Sequence, residues 1–258
     1  MLVLERKRKI IECLEINRAV LVNALAAELN VVPETIRRDL REMEKQGLLT
    51  RTHGGAVLNS NQDTDYPVQV RVTKNSWEKE QICKYAAGYI EDGDMIFVDN
   101  SSTLIHLIKY IRGNISITIL TNSIWVLQEF ARLGKNNNIT MICSGGVFNK
   151  NNMSLSGTVS SKTFAHFFPT KAFVSCHGVS TEQGYTDGNL LELDFKREMI
   201  KVSGKVFFLL DHSKFGKLGP VRLGDINICD ILITDKQPPG EVADRLYELH
   251  PGLEIIVA

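Results

Sequence analysis

Hydrophobic positions along this chain follow two different rhythms. Over the first sixty residues they recur at helical spacing. Ile10, Ile11 and Leu14 fall on one side of a helix predicted over 5–16, with Arg6, Lys7, Arg8 and Lys9 on its first turns. Leu25 and Leu29 mark a second helix from about Val22 to Leu29, with small Ala24, Ala26 and Ala27 between. Asn30-Val31-Val32 then reads as a tight connection, and Pro33 suits the first turn of a third helix. Ile36, Leu40 and Met43, spaced i, i+4, i+7, form its buried stripe, and Gly47 is placed to end it in a left-handed cap. Leu48 to Val57 reads as a short hairpin turning at Gly54-Gly55.

Beyond residue 75 short aliphatic runs alternate with helical patterns. Strands are predicted at Met95–Asp99, Ile115–Leu120, Ile139–Cys143, Ala172–Ser175, Val206–Leu210, Ile231–Thr234 and Glu254–Val257. Helices are predicted at about 76–90, 103–112, 123–133 and 190–202. Buried strands separated by helices imply a mostly parallel sheet covered on both faces, an α/β, Rossmann-like body. The stretch 59–75 opens with Asn59-Ser60-Asn61-Gln62-Asp63 and reads as a polar linker. The expected organisation is a head at 1–58, a linker at 59–75 and a body at 76–258.

Composition narrows the classes. At 258 residues, 43% hydrophobic and 23% charged, the chain is globular in character. Thirty basic and thirty acidic side chains cancel, so any polyanion must be met by a local patch. No apolar run approaches the roughly 20 residues of a membrane helix. The basic start lacks the apolar segment of an export signal. Cys13, Cys83, Cys143, Cys176 and Cys229 are scattered, which fits free thiols in the cytoplasm. His53, His106, His166, His177, His212 and His250 show no zinc-like spacing with them, so neither metal nor cofactor is expected.

The third helix carries Thr35, Arg37, Arg38, Arg41 and Lys45 away from its apolar stripe, and Arg51 and His53 follow in the hairpin. Arg38, Arg41 and Lys45 make one ridge at i, i+3, i+7. Helix, helix, turn, basic helix and hairpin is the layout of a winged helix-turn-helix, whose third helix enters the major groove. Glu34, Asp39, Glu42 and Glu44 alternate with the arginines, so the spacing alone also fits a solvated, salt-bridged face.

In the body, ligands of such sheets bind beyond the carboxyl ends of strands. Asp99-Asn100-Ser101-Ser102-Thr103 ends a strand and opens a helix, a place for a phosphate group or for simple capping. Lys79 and Lys214, taken singly, read as solvated surface residues. Gly145, Gly146 and Gly178 follow strands, where they make turns or admit a ligand to the backbone. A sugar-phosphate isomerase would need carboxylates at the reacting carbons. His177-Gly178-Val179-Ser180-Thr181 offers none, and Asp187, Glu192 and Asp194 are the nearest in sequence. A protein-binding winged helix is the third reading.

Pro33-Glu34-Thr35-Ile36-Arg37-Arg38-Asp39-Leu40, then Gly47, then Arg51-Thr52-His53-Gly54-Gly55-Ala56, resembles the DNA-binding domain of the DeoR family of bacterial transcriptional regulators. Val32 departs from it, standing where the family has a helix-capping serine. The resemblance runs on through Lys79, Ile82, Ala86, Gly93, Thr121-Asn122-Ser123, Gly145-Gly146, Gly157 and Asp211-His212-Ser213-Lys214-Phe215-Gly216 to Thr234-Asp235. It implies a sensor body related in fold to ribose-5-phosphate isomerase and a phosphorylated sugar as effector. The implied effector contacts are Lys79, Asp99, Ser101, Ser102, Thr103, Asn122, Gly145, Gly146, Gly178 and Lys214. Ser101 and Ser102 replace the Gly-Thr of the family's loop. The expected function is a repressor of a sugar-catabolism operon, with an activator as the alternative and catalysis absent. Operator DNA, the effector and further copies of the chain, as dimer or tetramer, are the expected partners.

Overall fold

The computed structural model describes residues 3–17, 19–45, 48–58, 67–133 and 138–258. The left-handed cap at Gly47 and the polar run 59–63 lie outside the described residues. The chain divides into two units, 1–74 and 75–258.

The first unit runs α1 (Val3–Asn17), β1 (Ala19–Leu21), α2 (Val22–Glu28), α3 (Pro33–Lys45), β2 (Leu49–Thr52), β3 (Gly55–Leu58) and α4 (Val68–Thr73). The helical spacing was a true guide to its core: Ile10, Leu14, Leu25, Leu29, Ile36, Leu40 and Met43 are buried together. The pattern does not disclose β1, whose three residues are too few to carry a period. It pairs antiparallel with β3, giving the sheet order β1-β3-β2. Gly55 is required at this contact, because a Cβ there would lie 1.9 Å from the Val20 carbonyl oxygen. Arg6 lies on the first turn of α1. It is buried, and its guanidinium donates to Asp39 through Nε at 2.5 Å and Nη2 at 3.1 Å. The linker expectation also needs correcting, since α4 lies inside it. Val68 is buried and Val70 packs on the core of the first unit. Val68, Val70 and Val72 alternate as in a strand, so neither period marks the segment as helical.

The second unit runs α5 (Ser76–Ala86), β4 (Met95–Val98), a 3₁₀ helix (Leu104–Tyr110), β5 (Ile117–Thr121), α6 (Ile124–Arg132), β6 (Ile139–Cys143), β7 (Val147–Asn149), β8 (Ser154–Ser156) and α7 (Thr158–Phe164). It continues with β9 (Lys171–Val174), β10 (Gly178–Ser180), β11 (Gly184–Asp187), α8 (Leu190–Val202), β12 (Lys205–Leu210), β13 (Val221–Gly224), β14 (Ile231–Thr234), α9 (Gly240–Leu249) and β15 (Glu254–Val257). Seven strands form one sheet in the order β15-β14-β12-β9-β4-β5-β6, every neighbouring pair parallel. Successive residues of one strand serve opposite cores. Phe97, Val174 and Phe208 join one apolar cluster, while Ile96, Phe173 and Phe207 join the other. A sheet buried on both faces follows, as the continuous apolar runs imply. The hairpin β7–β8 and the antiparallel sheet β10-β11-β13 are additions around its strand ends.

Candidate functional site

On the first unit, α3 turns Ile36, Leu40 and Met43 inward and leaves Arg37, Arg38, Arg41 and Lys45 exposed, with Thr35 half-buried. The Thr35 N–H donates to the Val32 carbonyl at 3.0 Å, and the Val32 side chain is exposed. Arg37 and Arg41 reach Glu34 at 3.2 and 3.8 Å. With side chains 50%, 52% and 67% exposed, such pairs contribute about 0–1 kcal/mol, so a phosphate oxygen can displace Glu34. Arg38 and Lys45 have no ion-pair partner among the described residues. Arg51 is held by Glu44, to which its backbone N–H donates at 2.9 Å and its guanidinium approaches at 3.6 Å. His53 is exposed in the hairpin turn.

On the second unit, four neighbouring strands, β12, β9, β4 and β5, end in polar loops. Asp99, fully buried after β4, accepts from the N–H groups of Ser101 at 2.9 Å and Ser175 at 3.0 Å, and pairs with Lys196 of α8 at 2.8 Å. Lys196 also meets Asp187 at 2.7 Å and donates to the Ser175 carbonyl at 2.9 Å. Burial disfavours its ammonium, but the two carboxylates outweigh burial and raise its pKa above the ordinary lysine range. Asp99 therefore holds the loop in shape, its oxygens engaged within the protein.

The Ser101 hydroxyl accepts the Leu104 N–H at 3.2 Å, while the Ser102 hydroxyl accepts from Lys79 Nζ at 3.2 Å. Thr103 is buried, and its carbonyl accepts from the Cys83 thiol at 3.1 Å. Asp211 follows β12, accepting from Asn75 Nδ2 at 2.8 Å and from Ser213 N and Oγ at 3.1 and 2.5 Å. Burial pushes this carboxyl up, but the charges of Lys214 and Lys79, with those hydrogen bonds, more than offset it and leave its pKa lowered. Lys79 is buried, not solvated, with Nζ on the Ser102 hydroxyl. After β5, Asn122 is buried with Nδ2 donating to the Leu155 carbonyl at 3.2 Å, and Oδ1 has no partner among the described residues.

The glycines divide. Gly145 (φ +65°) has open space along its Cβ direction out to Val159 at 3.8 Å. A Cβ on Gly146 would lie 2.5 Å from both Ser156 O and Ser160 Oγ, and one on Gly178 would lie 2.3 Å from Lys217 O. Those two positions admit the protein's own chain.

Asn75 and Lys196 were not singled out from sequence. Glu192 and Lys196 stand i, i+4 on α8, the spacing of an exposed ion pair, yet both are buried with other partners. Glu192 accepts from Asn100 at 2.8 Å, Asn152 at 3.0 and 3.1 Å, Asn149 at 3.2 Å and Ser154 at 2.5 Å. Asp187 is paired with Lys196, and Asp194 is exposed beside Arg197 at 3.5 Å. His212 Nδ1 lies 2.6 Å from Asp235 Oδ2.

Comparison with known proteins fits this two-part chemistry. Residues 6–62 match the DeoR-like helix-turn-helix domain, and residues 74–236 match the DeoR C terminal sensor domain. The HTH-type transcriptional regulator GolR of Listeria innocua is 34% identical, over 90% of this chain and 91% of its own. The L-fucose operon activator of Escherichia coli is 31% identical, over 90% and 95%. The glycerol-3-phosphate regulon repressor of Escherichia coli is 30% identical, over 97% and 98%. Among solved structures, a D-ribose-5-phosphate isomerase in complex with phospho-erythronic acid superposes with a TM-score of 0.39 at 18% identity, over 53% of this chain and 52% of that one. The matched domains in this order, with relatives spanning nearly the full length, establish that the chain belongs to the DeoR family of transcriptional regulators.

Proposed function

We propose that this regulator represses a sugar-catabolism operon from the cytoplasm and that a phosphorylated sugar binding the second unit controls its grip on operator DNA. The observation that carries the reading is buried Lys79 donating to the Ser102 hydroxyl after β4, with Asp211 and Lys214 after β12, two strands along the same sheet. Two cations and a hydroxyl there suit a phosphate monoester, and the unpartnered Asn122 Oδ1 suits a sugar hydroxyl. Asp99 and Lys196 keep the loop in place; Gly145 leaves room beside it. Arg37, Arg38, Arg41 and Lys45 supply the phosphate-facing ridge, Thr35 stands at the reading end of α3, and Arg51 and His53 extend the contact through the wing. Catalysis has no support: Asp99 and Asp187 are paired with Lys196, Glu192 is enclosed by amides, and His212 is engaged with Asp235. A regulator of this kind acts as a homo-oligomer, dimer or tetramer, whose heads meet operator half-sites.

Separation of function tests the reading. Arg38→Ala and Arg41→Ala are expected to weaken DNA binding while leaving binding of a mixture of sugar phosphates intact, read by anisotropy and thermal shift. Ser102→Ala and Lys214→Ala are expected to do the reverse. Equal loss of both activities in both sets, with the fold preserved, would contradict it.

A further inference from the structure

One edge of the seven-stranded sheet is β6, Ile139-Thr140-Met141-Ile142-Cys143. Its register with β5 fixes which way its backbone groups face. The Ile117 N–H donates to the Asn138 carbonyl at 3.1 Å, and the Ser144 N–H donates to the Thr121 carbonyl at 3.1 Å, with Ile119 opposite Met141. In a parallel ladder such bonds recur at every second residue, so 138, 140, 142 and 144 face β5. The N–H and C=O groups of Ile139, Met141 and Cys143 therefore point off the sheet, and no other hydrogen bond engages them among the described residues. Native sheets blunt a free edge with charge, proline or a bulge. β6 has none of these: its five residues carry no carboxylate or cation, and its register with β5 is unbroken. The opposite edge, β15, is a poorer template. Glu254 and Ala258 turn their N–H groups to Asp230 and Thr234, leaving only Ile255 and Val257 of the strand facing outward, and Glu254 adds a charge at its start.

We infer that β6 is the surface through which two copies of this chain join, antiparallel about a two-fold axis at Met141, so that the sheet continues from one copy into the other. Met141 then faces Met141 of the partner subunit, and Ile139 faces the partner subunit's Cys143. At each of these positions the outward N–H and C=O groups are exchanged, as in the hydrogen-bonded pairs of an antiparallel ladder. The edge is complementary to itself in charge: no like-charged side chains meet across the axis, and each backbone dipole meets its opposite. Ile139, Met141 and Ile142 are each only half-buried in the single chain and pack on the cores from its margin, so apolar surface is covered as well. A contact of this kind closes at two copies, whereas β6 laid against β15 would leave a free edge at each end and grow without limit. The inference deepens the homo-oligomer reading proposed above by naming its surface.

The test uses the full chain at micromolar concentration in sedimentation equilibrium. Met141→Pro removes a donor that faces away from β5, the one kind of strand position at which a sheet tolerates proline, so the single chain keeps its ladder. It is expected to sediment at half the wild-type mass with wild-type circular dichroism. Cysteine crosslinking tests the register in chains that keep the edge. Met141→Cys is expected to link to itself on mild oxidation, since hydrogen-bonded antiparallel partners stand about 5.5 Å apart at Cα, inside the roughly 4.4–6.8 Å that a disulfide spans. Ile139→Cys is expected to link to the native Cys143 of the partner subunit, and adding Cys143→Ser to abolish that link. A wild type that sediments as a single chain would overturn both the inference and the homo-oligomer reading. Wild-type mass in a folded Met141→Pro, or no crosslink in either cysteine variant, would overturn the inference alone and move the interface elsewhere. A mass that keeps rising with concentration would overturn it in favour of head-to-tail pairing.

Discussion

Arg6 and Asp39 stand 33 positions apart and leave water together. Removing one member of a buried pair strands the other, at a cost of about 3–5 kcal/mol, whereas replacing both by apolar residues is often neutral. Asp39→Ala is therefore expected to destabilise the first unit by that amount, and Arg6→Met with Asp39→Leu to recover most of it, in urea denaturation followed by circular dichroism. A loss under about 1 kcal/mol would mark the pair as no better than an exposed one. His106 is the second case. It is buried with neither ring nitrogen hydrogen-bonded among the described residues, and burial first, then Lys109 and Lys79, lowers its pKa to about 4 against the opposing charge of Glu80. The unfolded chain takes up this proton near pH 6.5, before the folded one does. Its neutral burial thus favours the fold fully above pH 6.5, and the advantage drains away as pH falls toward 4, by about 3 kcal/mol. His106→Leu is expected to flatten the stability profile between those limits; an unchanged slope would remove His106 as its cause. Individual charges were the least legible feature of the sequence. Arg6, Lys79, Lys196 and Asp39 have the composition of surface residues, and what buries them is a partner or fold contact that no local pattern encodes.

Elements with a clean period were legible. The stripe Ile36, Leu40, Met43 places α3, and the run Val206–Leu210 falls within β12 (Lys205–Leu210), which extends it by one residue. Elements shorter than a period were not: β1, β7, β8 and β10 have three residues each. The segment expected as a helix after Thr103 is a 3₁₀ helix, a distinction of backbone pitch that side-chain spacing over seven residues does not make. β1 nevertheless explains Gly55, which pattern reading treats as half of a turn. Gly55→Ala is expected to push β1 from β3 and destabilise the first unit by about 1–3 kcal/mol, the range of overpacking, with DNA affinity reduced and the sugar-phosphate thermal shift retained. Wild-type DNA binding in Gly55→Ala would show that β1 has no part in holding the wing.

Over the whole molecule the formal charge is zero, with thirty cationic and thirty anionic side chains, so attraction to DNA must come from a local patch, for which the ridge of α3 and the wing are proposed. That Asp99, Asn122 and Asp211 each follow a strand of one parallel sheet was legible from the alternation of apolar runs and helices, and such strand ends are where the effector is proposed to bind. The body's internal wiring, Asp99 to Lys196 and Asp211 to Asn75, joins strands to helices distant in sequence and became visible only with the fold. Ligand-gated occupancy of DNA is the claim on which the rest depends. It is tested most directly by fluorescence anisotropy of a labelled fragment from upstream of the protein's own gene, over a series of salt concentrations, with and without mixed sugar monophosphates. Binding that survives competitor DNA, falls steeply with salt and is weakened by the sugar phosphates is the expected result. Specific binding tightened by the mixture would turn the repressor into an activator, and specific binding indifferent to it would contradict the proposed effector.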